Sequence, residues 1–137
     1  MAITTRRIDY YYAIVDDLPG EGYRILAGLQ DRDISLVAFT AFPLSDGRSQ
    51  LDMVPSDGEK FRKAANALAI SLTGPRKAFL IQGDDKVGVL ANIHRKLADS
   101  DINAYAANGV CDGRGGFGYI LWVKKEQFED AAKALGV

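Results

Sequence analysis

The stretch Asp84-Asp85-Lys86-Val87-Gly88-Val89-Leu90, with Asn103 beyond the amphipathic run that follows it, holds groups that suit a small zwitterion. A loop opening into a helix beside a glycine leaves the backbone N–H groups of the first turn without intrahelical partners, and such donors favour a carboxylate. Gly88 permits close backbone approach to a ligand. Asp84 or Asp85 can accept from an ammonium group, and Asn103 offers both donors and an acceptor. An α-amino acid carries both charges on one carbon. The plainer reading of the same residues is structural, with Asp85 a helix N-cap, Gly88 a packing glycine and Asn103 a turn residue.

Other reactive side chains are sparse. His94, one turn after Leu90, has no second titrating group at a suggestive spacing and reads as a boundary or surface residue. Cys111 has only Arg114 nearby as a source of positive charge, which favours a free structural thiol over a nucleophile. One cysteine and one histidine make neither an intramolecular disulfide nor a Cys/His zinc set, so no metal and no cofactor is expected. Gly113-Arg114-Gly115-Gly116 falls between two strands and is therefore no phosphate loop; it reads as a flexible hairpin, with an interface or ligand flap as the lesser alternative.

The elements that position these groups occur twice. An offset of 68 residues lays Asp16-Asp17-Leu18-Pro19-Gly20 over Asp84-Asp85-Lys86-Val87-Gly88 and carries Ile25, Leu29 and Ile34 onto Ile93, Leu97 and Ile102. Near the end of each copy the offset is 67, placing Phe61, Ala64, Ala65 and Leu68 on Phe128, Ala131, Ala132 and Leu135. A repeat means that each copy is one supersecondary unit completed by its neighbour. In the first copy the patterns predict strands over 10–15, 34–42 and 49–54, a helix around Ile25 to Leu29, and a helix from 57 or 58 to 72. The second predicts strands over 78–82, 102–111 and 117–123 and helices over 87–99 and 125–135, with residues 73–76 as the joint.

The expected fold class is α+β, two tandem ferredoxin-like units in residues 1–74 and 75–137, each an antiparallel sheet with helices on one face. The runs 10–15 and 119–123 are apolar at both parities, so the sheet face away from the helices should also be buried, by a second subunit or the sister repeat; a homodimer is expected on that ground. With 17 basic against 18 acidic side chains there is no field to draw the chain to nucleic acid or an anionic membrane. Tyr10-Tyr11-Tyr12 lacks the basic footprint of an RNA-binding sheet. No apolar run approaches the ~20 residues that span a bilayer, and the N-terminus has no apolar stretch after its arginines, so a cytoplasmic location is expected.

Asp85-Lys86-Val87-Gly88-Val89-Leu90-Ala91, the helix through Leu97-Ala98, and Asp101-Ile102-Asn103 resemble the opening of an ACT domain, a small regulatory βαββαβ module attached to enzymes of amino-acid metabolism. Val87 stands where that family commonly has proline, and Asp101 where it has glycine. In the first copy Glu21-Gly22 replaces Val-Leu, and Ser35 replaces the asparagine. The resemblance implies ligand contacts at Asp85, Gly88, Val89, Leu90 and Asn103, and in the first copy at Asp17, Gly20 and Ser35. It further implies a non-enzymatic regulatory protein that binds an amino acid or similar metabolite, with an enzyme as possible partner. The alternatives are a small enzyme on a dimeric α+β barrel scaffold, which a buried His/Asp or Cys/His pair would support, and a purely structural dimerisation module.

Overall fold

A computed structural model describes residues 3–137; Met1 and Ala2, part of the N-terminal stretch considered above, lie outside the described residues. Strands form where β-branched and aromatic residues run together, and helices where apolar residues recur every three or four positions. The order is β1 (Ile3–Asp16), α1 (Glu21–Gln30), β2 (Leu36–Pro43), β3 (Arg48–Pro55), α2 (Gly58–Ala67), β4 (Thr73–Asp84), α3 (Val89–Asp99), β5 (Ala104–Cys111), β6 (Gly116–Val123), a 3-10 turn at Lys125–Gln127 and α4 (Phe128–Leu135).

The chain divides into two units, one of residues Asp9–Arg76 and one of Lys77–Val137 joined by the segment ending at Ile8. In the first the strands lie in the order β2-β3-β1-β4, and in the second β1-β4-β6-β5. The first runs βαββαβ along the chain, and the second has the same strand arrangement with its closing strand moved to the front; both contain antiparallel hairpins. Residues 73–76 supply the closing strand of the first unit, and residues 3–8, from the start of the chain, supply that of the second.

Equivalent backbone irregularities recur at the repeat offset. The hairpin register breaks between Leu36 and Ala38 in β2 and between Ala104 and Ala106 in β5. Asp33 and Asp101 both adopt φ 58, each closing its helix into the next strand. In each unit one aromatic pair joins the first strand to the last helix: Tyr11 with Phe61, and Phe79 stacked on Phe128. Around the first pair pack Ala13, Ile25, Leu29, Leu51 and Met53, and around the second Ile81, Ile93, Leu97 and Leu121.

Three elements differ from expectation. β1 begins seven residues before residue 10, because Arg6, Arg7 and Asp9 mask the strand pattern around buried Ile8. Charged side chains suit it, since residues 3–8 stand at the end of the strand order in their unit. α2 stops at Ala67, where Ala69 turns left-handed at φ 56, and Ile70 and Leu72 reach the core from extended chain. β4 runs straight through Gly74-Pro75, which the sequence reading takes as a joint. There the chain passes so close to Tyr10 that a Cβ on residue 74 would lie 2.9 Å from the Tyr10 carbonyl oxygen.

Tyr10 and Tyr11 are core residues, and Tyr12 lies under the Arg76 guanidinium, 5.3 Å from its ring centre. Leu80, Ile120 and Trp122, apolar at the second parity, are already buried in the single chain, so their apolarity needs no second copy.

Asp52 is the exception among these positions. It is a carboxylate only 7% exposed, accepting a 2.9 Å bond from Gln50 Nε2. Burial raises its pKa, opposed by the Gln50 bond and by Arg76. A raised carboxyl pKa means that the folded state holds the proton more tightly than the unfolded one, so this residue's contribution is full below the ordinary carboxylate range and is lost as pH rises through the folded value. Asp52→Asn, which keeps the acceptor for Gln50, should therefore gain stability relative to the parent as pH rises from 4 to 7. Urea midpoints for both proteins across that range measure it, and a gap that widens toward acid would reverse the assignment.

Candidate functional site

α3 begins at a left-handed residue, Gly88 with φ 87, and no side chain caps its N-terminus. Val89 N donates back to the Lys86 carbonyl, and the first intrahelical bond is Asn92 N to Gly88 O at 3.0 Å. The loop before it is pinned by Asp85 N donating to Gly115 O at 2.8 Å. Asp85 is therefore not the N-cap that the plainer reading assigns to it.

Beneath this helix start lies a cavity of about 210 Å3. Val89 and Leu90 of α3 line it together with Gly109, Cys111, Phe117 and Tyr119 of the β5–β6 hairpin and with Asp85. The four strand residues share the helix-facing side of the β5–β6 hairpin, because Gly109 pairs with Tyr119 and Cys111 with Phe117. Tyr119 extends across its neighbour: a Cβ on Gly109 would lie 2.6 Å from Tyr119 Cδ1, so only glycine leaves room for the ring. The Tyr119 hydroxyl and His94 Nε2 share a 2.7 Å hydrogen bond. Burial raises the phenol's pKa.

Cys111 Sγ donates to Asp85 Oδ2 at 3.2 Å. That bond, then burial and the negative charges of Asp85 and Asp112, raise the thiol's pKa, which disfavours the nucleophilic thiolate. The hairpin beyond is tied down, with Asp112 Oδ1 accepting from Arg114 N at 2.6 Å and from Gly116 N at 3.0 Å. These two bonds lower the Asp112 pKa and close the turn of the glycine-rich β5–β6 hairpin.

Of the residues singled out in the second copy, Asp85, Val89 and Leu90 line the cavity and Gly88 starts the helix above it. Asp84 instead ends β4 opposite Gly116. Asn103 is exposed just before β5, six residues from Gly109 and so ~20 Å along the strand from the cavity. In the first copy Gly20 starts α1 at φ 94 and Asp17 N donates to Gly47 O at 3.0 Å. Ser35 sits beyond the other end of α1, in a polar recess of about 250 Å3 with Asp33 and Lys60. There the Lys60 ammonium is engaged by the Asp33 carbonyl at 2.8 Å, and the Ser35 carbonyl accepts from Ser56. Glu21 lies in the first turn of α1 and holds Arg24 through two 3.2 Å bonds, which lower its pKa.

Gly109, Phe117 and Tyr119 were not anticipated. A lone glycine inside a strand pattern signals close approach by another group, and Gly109 was legible on that ground. The pairings of Asp85 with Cys111 and His94 with Tyr119 join residues 26 and 25 positions apart and leave no local trace.

No family model and no curated protein matches the chain. Solved structures do. A protein from Bacteroides thetaiotaomicron superposes with TM-score 0.82 at 14% identity, covering 96% of this chain and 88% of its own. The regulatory subunit of aspartate kinase from Thermus flavus superposes with TM-score 0.67 at 16% identity, covering 99% of this chain and 95% of its own. Its Thermus thermophilus counterpart, in a ligand-free form, gives 0.65 at 15%, with the same coverages. The fold is ACT-like. At these identities the likeness is one of architecture, and it extends over nearly the whole of each chain. Among the described residues no helix is long and apolar enough to cross a membrane, and no cluster of three or more His, Cys, Asp or Glu could hold a metal ion.

Proposed function

We propose that this chain is a non-catalytic regulatory protein that binds an α-amino acid in the second unit, in the cavity under the start of α3. The observation that carries the reading is the meeting of an uncapped helix N-terminus, a carboxylate and an apolar wall around one cavity. First-turn amides and the helix dipole favour the ligand carboxylate. Asp85 favours its ammonium, and Leu90, Phe117 and Tyr119 its side chain. The ACT-like fold, shared with regulatory subunits of aspartate kinase, supports a regulatory role. Ligand binding would act by population shift, stabilising one arrangement that a second copy or an enzyme partner reads.

The alternative of a small enzyme finds less support. Cys111 is paired with a carboxylate and His94 with a phenol, neither being the His/Asp or Cys/His arrangement that general-base or nucleophilic chemistry favours.

A thermal-shift screen against the twenty amino acids tests the reading. A ligand at 100 times its Kd stabilises by about 2.7 kcal/mol. Gly88→Leu should abolish that shift while leaving the fold largely intact: space around a Cβ at residue 88 is open, and only the left-handed backbone is strained, by ~1–2 kcal/mol. Glu21→Val should leave binding unchanged or improve it, since the first-copy helix start already carries its own carboxylate. A shift lost in Glu21→Val and kept in Gly88→Leu would move the site to the first unit.

A further inference from the structure

We infer that the cavity selects a small branched aliphatic amino acid, of the size of valine, and that the Gly109–Tyr119 pair sets this limit. The inference rests on the amino-acid reading above and adds the side-chain class. The recess is open on one side, and its 210 Å3 gives room for about seven waters at roughly 30 Å3 each, close to the eight non-hydrogen atoms of valine. An α-amino acid of that size has a side chain of about three carbons. Among the described residues no cationic side chain lines the cavity, while Asp85 does, so a second carboxylate on the ligand would meet negative charge without a counter-ion. A cationic side chain would have to place its charge against Leu90, Phe117 and Tyr119.

The limit on size comes from Tyr119. Its ring occupies the space where residue 109 would carry a Cβ, and its hydroxyl is anchored on α3 through His94. The first unit shows the other solution at the same register: Ala41 pairs with Leu51 where Gly109 pairs with Tyr119. Leu26 stands there, by the 68-residue offset, in place of His94. An alanine at this strand position is therefore compatible with the fold when the cross-strand partner is leucine.

Calorimetric titration of the full chain with valine, leucine, phenylalanine, aspartate and lysine decides the class. Valine should bind, with aspartate, lysine and phenylalanine each at least about tenfold weaker. Gly109→Ala, which must displace the Tyr119 ring, should weaken valine by at least about tenfold. The double variant Gly109→Ala/Tyr119→Leu, importing the first unit's pair, should fold and shift preference from valine toward leucine. Should Gly109→Ala fail to fold, the double variant still decides. Aspartate, lysine or phenylalanine binding as tightly as valine, or an unchanged valine-over-leucine preference in the double variant, would overturn the inference while leaving the amino-acid reading standing. Binding of no amino acid at all would overturn both.

Discussion

Phe79→Ala should cost about 3–5 kcal/mol, the range for deleting a fully buried aromatic side chain. Phe79 has no exposed surface and stacks on Phe128 with ring centres 4.5 Å apart and planes 5° from parallel. It pairs across the sheet with Leu121, so one truncation opens a hole between the sheet and α4. The cavity left behind adds to the lost transfer energy, because close-packed neighbours relax only in part. Urea unfolding followed by circular dichroism measures the loss, and a value below about 1.5 kcal/mol would show that the stack is peripheral to the core. Tyr11→Ala, at the repeat-equivalent position, should cost a similar amount with one term added. Arg62 Nη1 donates to the Tyr11 hydroxyl at 2.7 Å, and that bond goes too.

Beginning the chain at Asp9 should destabilise the second unit by about 3 kcal/mol, mostly through lost burial of one isoleucine and lost contacts of one arginine. Ile8 is buried, and Arg7 holds both carboxylate oxygens of Glu129 at 3.0 Å, donates to the Val137 carbonyl and lies 5.8 Å from the Phe128 ring centre. Hydrogen exchange reads the effect by location. Amides of α4 should lose protection while those of α2 keep theirs, because residues 3–8 belong to the unit that contains α4. Equal loss in both helices, or none in α4, would contradict the assignment of this segment. Arg7→Ala alone should give the smaller effect of about 1 kcal/mol, since its ion pair is solvent-exposed.

Sequence alone determined the repeat and most of the elements, because those signals are local. Ile25 and Leu29 on one helical stripe, Ile93 and Leu97 on another, and the aspartates at 33 and 101 that turn each helix into a strand are short-range consequences of side-chain spacing and backbone preference. The start of α3 was legible for the same reason: a glycine before an apolar 3.6-residue pattern marks where backbone donors are left over.

Tertiary structure alone decided what those donors face. The apolar positions cannot tell which strand closes which unit, so the docking of residues 3–8 against α4 and the passage of β4 through Gly74-Pro75 appear only when the sheets form. The cavity has the same origin. Asp85, Leu90, Gly109 and Tyr119 are scattered over 35 positions and meet because the β5–β6 register sets Tyr119 opposite a residue with no side chain. Asn103 shows the converse: it looks adjacent to the site in the motif, yet a strand rising about 3.3 Å per residue carries it to the opposite end of the unit.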